Sequence, residues 1–191
     1  AVIGTTGHRI AGQSRPSRHT TPEAPVIQQI LCEALQQGCH MAAMEVSSIG
    51  LALRRVDAIP FAVGVFTNLS QDHLDFHGDM HSYMAAKARL FEELMAPDGT
   101  AVINGDSIEH LEIQPCCART WRFGTQAEHE IRLGDHQLDL SGCRAEVTTP
   151  MGEGSLSISL LGAHNLANAL AALGAGLALG WSLSDCLQGL A

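Results

Sequence analysis

Two apolar runs that each break into a polar cluster constrain this chain more than any other feature. Phe61 to Phe66 gives way to Thr67-Asn68-Leu69-Ser70-Gln71-Asp72-His73-Leu74-Asp75-Phe76-His77-Gly78, and Met41 to Met44 gives way to Glu45-Val46-Ser47-Ser48. In an open α/β sheet, ligands bind just beyond the carboxyl ends of the strands. Two strands that end this way predict one shared site, furnished with groups suited to metal ions and phosphate.

The remaining pattern predicts the sheet that carries the site. Residues 1–5 read as a short buried strand, and its abrupt start is expected of a piece cut from a longer chain. Thr20-Thr21-Pro22-Glu23 reads as a helix start, with a hydroxyl cap, a proline and an acid in the first turn. That helix runs to about Gln37 and stops at Gly38. Residues 40–46 and 61–67 are apolar at nearly every position, as parallel strands covered on both faces are. A helix from Met80 to Met95 is closed by Pro97-Asp98-Gly99, and 100–104 is the next strand. This alternation predicts an α/β fold with a mostly parallel sheet flanked by helices. From residue 119 the pattern changes. Segments 119–124, 129–133, 136–140, 143–149 and 154–160 alternate and are short, which predicts an antiparallel subregion over 119–160. Two helices follow, Ala163 to Leu179 and Ser182 to Leu190, the second capped by Ser182 or Ser184.

Composition excludes some functions. With 20 Asp plus Glu against 11 Lys plus Arg, the net charge is −9, which lacks the basic footprint of nonspecific nucleic-acid binding. No run approaches the roughly 18 apolar residues of a membrane span, and the opening residues lack the basic leader of a signal peptide. The six cysteines, 32, 39, 116, 117, 143 and 186, form no Cys-x-x-Cys pair and read as unpaired thiols of a reducing compartment.

Individual residues suggest chemistry, each beside a plainer alternative. Lys87 falls in the apolar stripe Met80, Tyr83, Met84, Lys87, Leu90, Phe91, Leu94. It either snorkels to water or is a desolvated amine of lowered pKa, able to take up CO2 as a metal-binding carbamate. Glu45 ends a strand and needs a partner, either Arg54 or Arg55 or a magnesium ion. His73 and His77 have a His-x-x-x-His spacing that would suit zinc on a helix, but Gly78 and the preceding strand argue for a loop, with His77 merely exposed. Ser47-Ser48 and Thr20-Thr21 suit capping as well as ligand binding. Arg55 is one of few cations, an anion holder or a surface arginine. Asn165 could cap the long helix or read a purine edge with its amide.

Taken together, four blocks closely resemble the central domain of the Mur ligases. They are Met44-Glu45-Val46-Ser47-Ser48, then Phe66 through Met80, then Tyr83-x-x-Ala86-Lys87-x-x-Leu90-Phe91, and Gly162-Ala163-His164-Asn165-x-x-Asn168-Ala169. Gly4-Thr5-Thr6-Gly7 and Thr20-Thr21-Pro22 fit the same pattern. The resemblance spans almost the whole chain and is nearest to the MurE branch, which adds the third amino acid to UDP-N-acetylmuramoyl-L-Ala-D-Glu.

The resemblance implies a central ATPase domain over 1–191 with a P-loop-NTPase-like fold. It also implies a cytoplasmic, monomeric ligase of peptidoglycan precursor synthesis that uses ATP, Mg²⁺, the muramoyl dipeptide and a diamino acid, meso-diaminopimelate or L-lysine. Lys87 matches the lysine carrying a CO2-derived carbamate, with Glu45 and His73 completing the metal sites. His19, Thr20, Thr21, Ser47 and Arg55 match muramoyl-peptide contacts, and Asn165 matches a residue near the adenine. Ile49 and Leu53 depart from the family's usual His and Gln, and His19 stands where Asn is common, so altered peptide contacts are expected. No Gly-x-x-x-x-Gly-Lys phosphate loop occurs in the 191 residues. It is expected upstream, with N- and C-terminal domains beyond, so that the segment alone is expected to be inactive. Rival readings are a folylpolyglutamate synthase or cyanophycin synthetase type of ligase, a His73/His77 metal hydrolase, and a nonenzymatic binding domain.

Overall fold

The computed structural model of the protein describes residues 1–107 and 113–191. The chain forms two compact units, one from Ala1–Pro60 and Gln71–Leu90, the other from Phe61–Ser70 and Phe91–Ala191.

The first unit holds a four-stranded sheet of β1 (Val2–Gly4), β2 (Gly7–Ile10), β3 (Gln13–Arg15) and β4 (Ala43–Met44), in the order β3-β2-β1-β4. Thr5-Thr6 turns β1 into β2, with Gly4 opposite Gly7. The β2–β3 hairpin has no counterpart in the sequence reading. It closes on Ala11 and Gly12, both at positive φ (45° and 86°), as a two-residue hairpin turn requires. An alanine in that position hides the turn from composition. β4 is shorter than expected and pairs parallel with β1. Met41 is half-exposed, and residues 41–43 are not covered on both faces. The reason is that β4 is an edge strand.

Helix α1 (Ala24–Gln36) buries Ile27, Ile30 and Ala34, and Ile30 and Ala34 join Ile3 and Ile10 in one apolar cluster. Its stop at Gly38 (φ 78°) is as expected, but its start is not. Glu23 is the capping residue and makes no side-chain cap bond. The Thr20-Thr21 hydroxyls are engaged elsewhere. Short helices α2 (Ser48–Ala52) and α3 (Leu74–His77) follow, then α4 (Met80–Glu93), which belongs to this unit up to Leu90.

The second unit is built on a six-stranded sheet of β5 (Phe61–Phe66), β6 (Met95–Asn104), β7 (Arg119–Gly124), β8 (Ile131–Asp139), β9 (Gly142–Thr149) and β10 (Gly152–Ile158), in the order β10-β9-β8-β7-β6-β5. β5 through β8 pair parallel, while β8–β9 and β9–β10 are antiparallel. The fold class is therefore the expected one, with two corrections. β7 belongs to the parallel part, so antiparallel pairing begins only at β8. The segments 129–133 and 136–140 are one strand whose register shifts between Leu133 and His136; Gly134 marks that irregularity rather than a turn. Pro97-Asp98-Gly99 likewise sits in a bulge of β6, between Met95 opposite Phe61 and Thr100 opposite Val63.

Helix α5 (Ala163–Ala178) presents Leu166, Leu170, Leu173 and Leu177, all at most 2% exposed, one face at helical spacing. They join Val102, Phe123, Ile131 and Leu156 in the core, each contributing about 1.5–3 kcal/mol on burial. Gly174 permits this approach, since a Cβ there would lie 2.7 Å from the Ile131 Cδ1 and 2.8 Å from the Val102 Cγ1. Helix α6 (Leu183–Leu190) is capped by Ser182, whose Oγ accepts from the Asp185 N–H. All six cysteines are free thiols. Among the described residues, no helix is long and apolar enough to cross a membrane.

Candidate functional site

Thr21 lies at the centre of the first unit's polar residues and is 1% exposed. Its Oγ1 donates to the Glu45 carbonyl at 2.9 Å and accepts from the Ser47 N–H at 2.8 Å. One hydroxyl thus ties the start of the α1 segment to the turn after β4, which explains why it is not a helix cap. Ser47 caps α2 in turn, its Oγ accepting from the Gly50 N–H at 3.0 Å. Gly50 is required here, because a Cβ would lie 2.8 Å from the Thr21 Cγ2.

Glu45 is partnered by neither arginine expected for it. Its carboxylate accepts from the Thr5 N–H at 3.0 Å and from the Thr5 Oγ1, which also contacts the Thr20 Oγ1 at 3.1 Å. Gly4 makes room for it: a Cβ there would meet the Glu45 Oε1 at 2.6 Å. Arg54 pairs with Asp57. Arg55 is not a surface arginine. Its guanidinium donates to the Thr21 carbonyl at 2.9 Å and pairs with Glu23 at 2.5 Å, and its side chain is 12% exposed. The Arg55 Nε is buried with no acceptor, a donor left over for a ligand oxygen. His19 is exposed and lines a pocket of about 490 Å³ between the β2–β3 hairpin and α1, with His8, Arg15, Arg18 and Glu33. Thr20, Thr21, Ser47 and Arg55 are not among its lining residues.

A second group gathers around Tyr83. Lys87 lies one helical turn beyond it, the Nζ 5.1 Å from the ring centroid. Burial pushes the Lys87 amine below its ordinary pKa, with Asp72 opposing. Of the two sequence alternatives, the desolvated amine is the better description. His73 and His77 both face the Tyr83 ring, at 6.2 Å and 5.2 Å between centroids. His73 caps α3 in a left-handed conformation (φ 53°), a state in which His is tolerated better than most residues. The Asp72 Oδ1 accepts from its N–H at 2.8 Å.

His77 is not the exposed loop residue of the sequence reading. It is half-buried, its Nε2 within 3.0 Å of the Ser48 Oγ, and its ring meets Phe76 edge-on at 4.9 Å. Burial lowers its pKa, as does the charge of His73 and, to a smaller degree, that of Lys87; Asp75 opposes. No local sequence signal marks this role, because Ser48 and Tyr83, the partners of the ring, come from other elements. With its Nε2 engaged by Ser48, His77 has only its Nδ1 left for a zinc-type pairing with His73. Among the described residues, no three His, Cys, Asp or Glu groups are arranged to hold a metal ion.

The two groups are linked through neighbouring residues of one turn: the Glu45 carbonyl and the Ser47 N–H meet Thr21, and the adjacent Ser48 meets His77, which lies on Tyr83 beside Lys87. An oxygen-rich turn and a desolvated amine are thereby joined within a single unit. Asn165 belongs to the other unit. It is not the cap of α5, a position taken by Gly162 (φ 95°). Its Nδ2 donates to the Leu161 carbonyl at 2.9 Å.

The Mur ligase middle domain family matches residues 1–176. A UDP-N-acetylmuramoyl-L-alanyl-D-glutamate--2,6-diaminopimelate ligase from Gloeobacter violaceus is 43% identical over 189 residues, covering 99% of this chain and 38% of that protein. A ligase of the same name from Geobacter sulfurreducens is 40% identical over 196 residues, covering 100% of this chain and 38% of that protein. A solved structure of a ligase so named superposes with a TM-score of 0.87 at 31% identity, over 99% of this chain and 39% of that one. The chain therefore spans well under half the length of the relatives it matches. It belongs to the Mur ligase family, as a middle domain.

Proposed function

We propose that this chain is the middle, ATPase domain of a ligase that joins meso-diaminopimelate, or L-lysine, to UDP-N-acetylmuramoyl-L-Ala-D-Glu. In this reaction ATP passes its γ-phosphoryl group to the free D-Glu carboxylate, giving an acyl phosphate. The incoming amine attacks the carbonyl carbon and loses a proton, and phosphate leaves the tetrahedral intermediate. Such chemistry needs positioning and charge neutralisation more than covalent participation. The phosphate loop and the uridine- and amino-acid-binding parts come from segments outside these 191 residues, and the whole acts as a cytoplasmic monomer.

The observation that carries this reading is the grouping of His73 and Lys87 about the Tyr83 ring, in the same unit as the Glu45 carboxylate. An imidazole, a carboxylate and an amine whose pKa burial lowers are a donor set that suits the group proposed. Lys87 as a carbamate, Glu45 and His73 would hold Mg²⁺, which when bound supplies neutralising charge for the transferred phosphoryl group. The chain's own residues do the rest. Thr20, Thr21 and Ser47 hold the muramoyl peptide, His19 borders it, and the unsatisfied Arg55 Nε donates to a peptide carboxylate. Asn165 lies beside the adenine.

The test is ligation by a full-length relative whose matching segment is replaced by residues 1–191. ADP release should require both the muramoyl dipeptide and the diamino acid that the host enzyme uses. Lys87→Ala should lower turnover by about 10³-fold or more, the scale of losing one preorganised electrostatic group. Normal turnover with Lys87→Ala would remove the role given to this residue.

A further inference from the structure

We infer that Ser48, His77 and Tyr83 form a positioning platform that fixes where the Lys87 nitrogen sits. The inference rests on the ligase reading only for its purpose; the geometry stands by itself. Lys87 is the one lysine among these 191 residues, beside ten arginines. An arginine could not serve, because its guanidinium stays protonated and cannot add CO2.

Three elements build the platform. Ser48, 3% exposed at the start of α2, holds the His77 Nε2 at 3.0 Å. His77, at the end of α3, lays its ring on Tyr83 at 5.2 Å and a 36° tilt. Tyr83, 4% exposed, stands four residues before Lys87 on α4, where side chains on one helical face meet, and its ring lies under the amine at 5.1 Å. A lysine has four rotatable bonds, and a ring against the nitrogen removes part of that freedom. The chain leaves α3 at Gly78 (φ 83°), and Asp79 fixes the entry of α4 through the Ser82 N–H at 2.7 Å. These turns set the histidine against the tyrosine. The chemistry that profits is carbamate formation: the Lys87 nitrogen bonds to the carbon of CO2, one C=O electron pair moves to oxygen, and an N–H proton leaves to water.

Segmental ¹³C labelling of lysine Cε in these 191 residues, ligated into the full-length relative used above, leaves one labelled side chain, and ¹³C-bicarbonate reports the carbamate. In the native chain, the two Cε protons should be resolved from each other and shifted upfield by the Tyr83 ring. Ser48→Ala and His77→Gln should each collapse that pattern toward free lysine and lower the carbamate signal about fivefold, the scale of one long side chain left unordered. Tyr83→Phe, which keeps the ring, should preserve both. If Ser48→Ala or His77→Gln retains native circular dichroism and leaves the lysine signals unchanged, the platform is refuted; either variant suffices. A native chain with shifted lysine signals but no carbamate signal would overturn the metal-binding role of Lys87 and leave the platform intact.

Discussion

Replacing Thr21 by valine keeps the shape of the side chain and removes the hydroxyl that joins two segments. Two bonds disappear together: the one from Oγ1 to the Glu45 carbonyl and the one from the Ser47 N–H. Leaving a buried donor unsatisfied costs about 1–3 kcal/mol, and the carbonyl, with its second lone pair, costs less. The sum is about 2 kcal/mol, or roughly a thirtyfold change in the opening equilibrium of the unit. Thr21→Ser keeps both bonds and loses only the methyl against Gly50, which costs about 1 kcal/mol. The probe must be chosen with care. Both tryptophans, Trp121 and Trp181, lie in the second unit, so their fluorescence does not follow this change. Native-state hydrogen exchange does, at the Glu45 N–H bonded to the Ile3 carbonyl and the Arg55 N–H bonded to the Gly50 carbonyl. Both amides should exchange about thirtyfold faster in Thr21→Val and only several-fold faster in Thr21→Ser. If serine proves as costly as valine, packing rather than hydrogen bonding holds these segments together, and the account of Thr21 fails.

Two further outcomes follow from the same unit. Burial holds the Lys87 pKa below its ordinary value, so between the folded value and 10.5 the unfolded chain binds the proton and the folded chain does not. Stability is therefore penalised below the folded pKa and recovers as pH rises through that window. Lys87→Met should be the more stable protein at neutral pH, with a gap that narrows toward pH 10 in urea titrations read by backbone amides of the first unit. A gap independent of pH would mean that the amine is solvated. Gly4→Ala places a methyl 2.6 Å from the Glu45 Oε1 and should turn the carboxylate away from Thr5. Folding should lose less than about 1 kcal/mol, since a flexible side-chain end can move, but the Mg²⁺ concentration for half-maximal ligation in the assembled enzyme should rise about tenfold. An unchanged Mg²⁺ requirement would speak against Glu45 as a ligand.

Much of the fold was legible because periodicity and capping agreed. The helices α4, α5 and α6 and the strand β5 lie where hydrophobic spacing put them, and the α6 cap is Ser182, one of the two serines expected. The failures have local causes. The β2–β3 hairpin turns on Ala11 rather than a residue known for positive φ. β8 absorbs Gly134 as a register shift. Thr20-Thr21-Pro22 imitates a helix start, although Thr21 binds a strand end 24 residues away. In each case a tertiary partner overrode a local preference.

The site divides in the same way. The residue types were fixed by the order of amino acids alone: an acid after one apolar run, a histidine-rich turn after another, and one lysine in an apolar helical stripe. The motif blocks around them resemble those of a known family, and that resemblance suggested the chemistry. Which groups touch was decided only in three dimensions. Glu45 found Thr5 instead of an arginine, Arg55 turned inward to Thr21 and Glu23, and His77 left the solvent for Ser48 and Tyr83. Side-chain partners separated by 29 or 40 residues are set by the path of the backbone between them. No local pattern encodes that path, because it is the burial of the apolar faces that folds it.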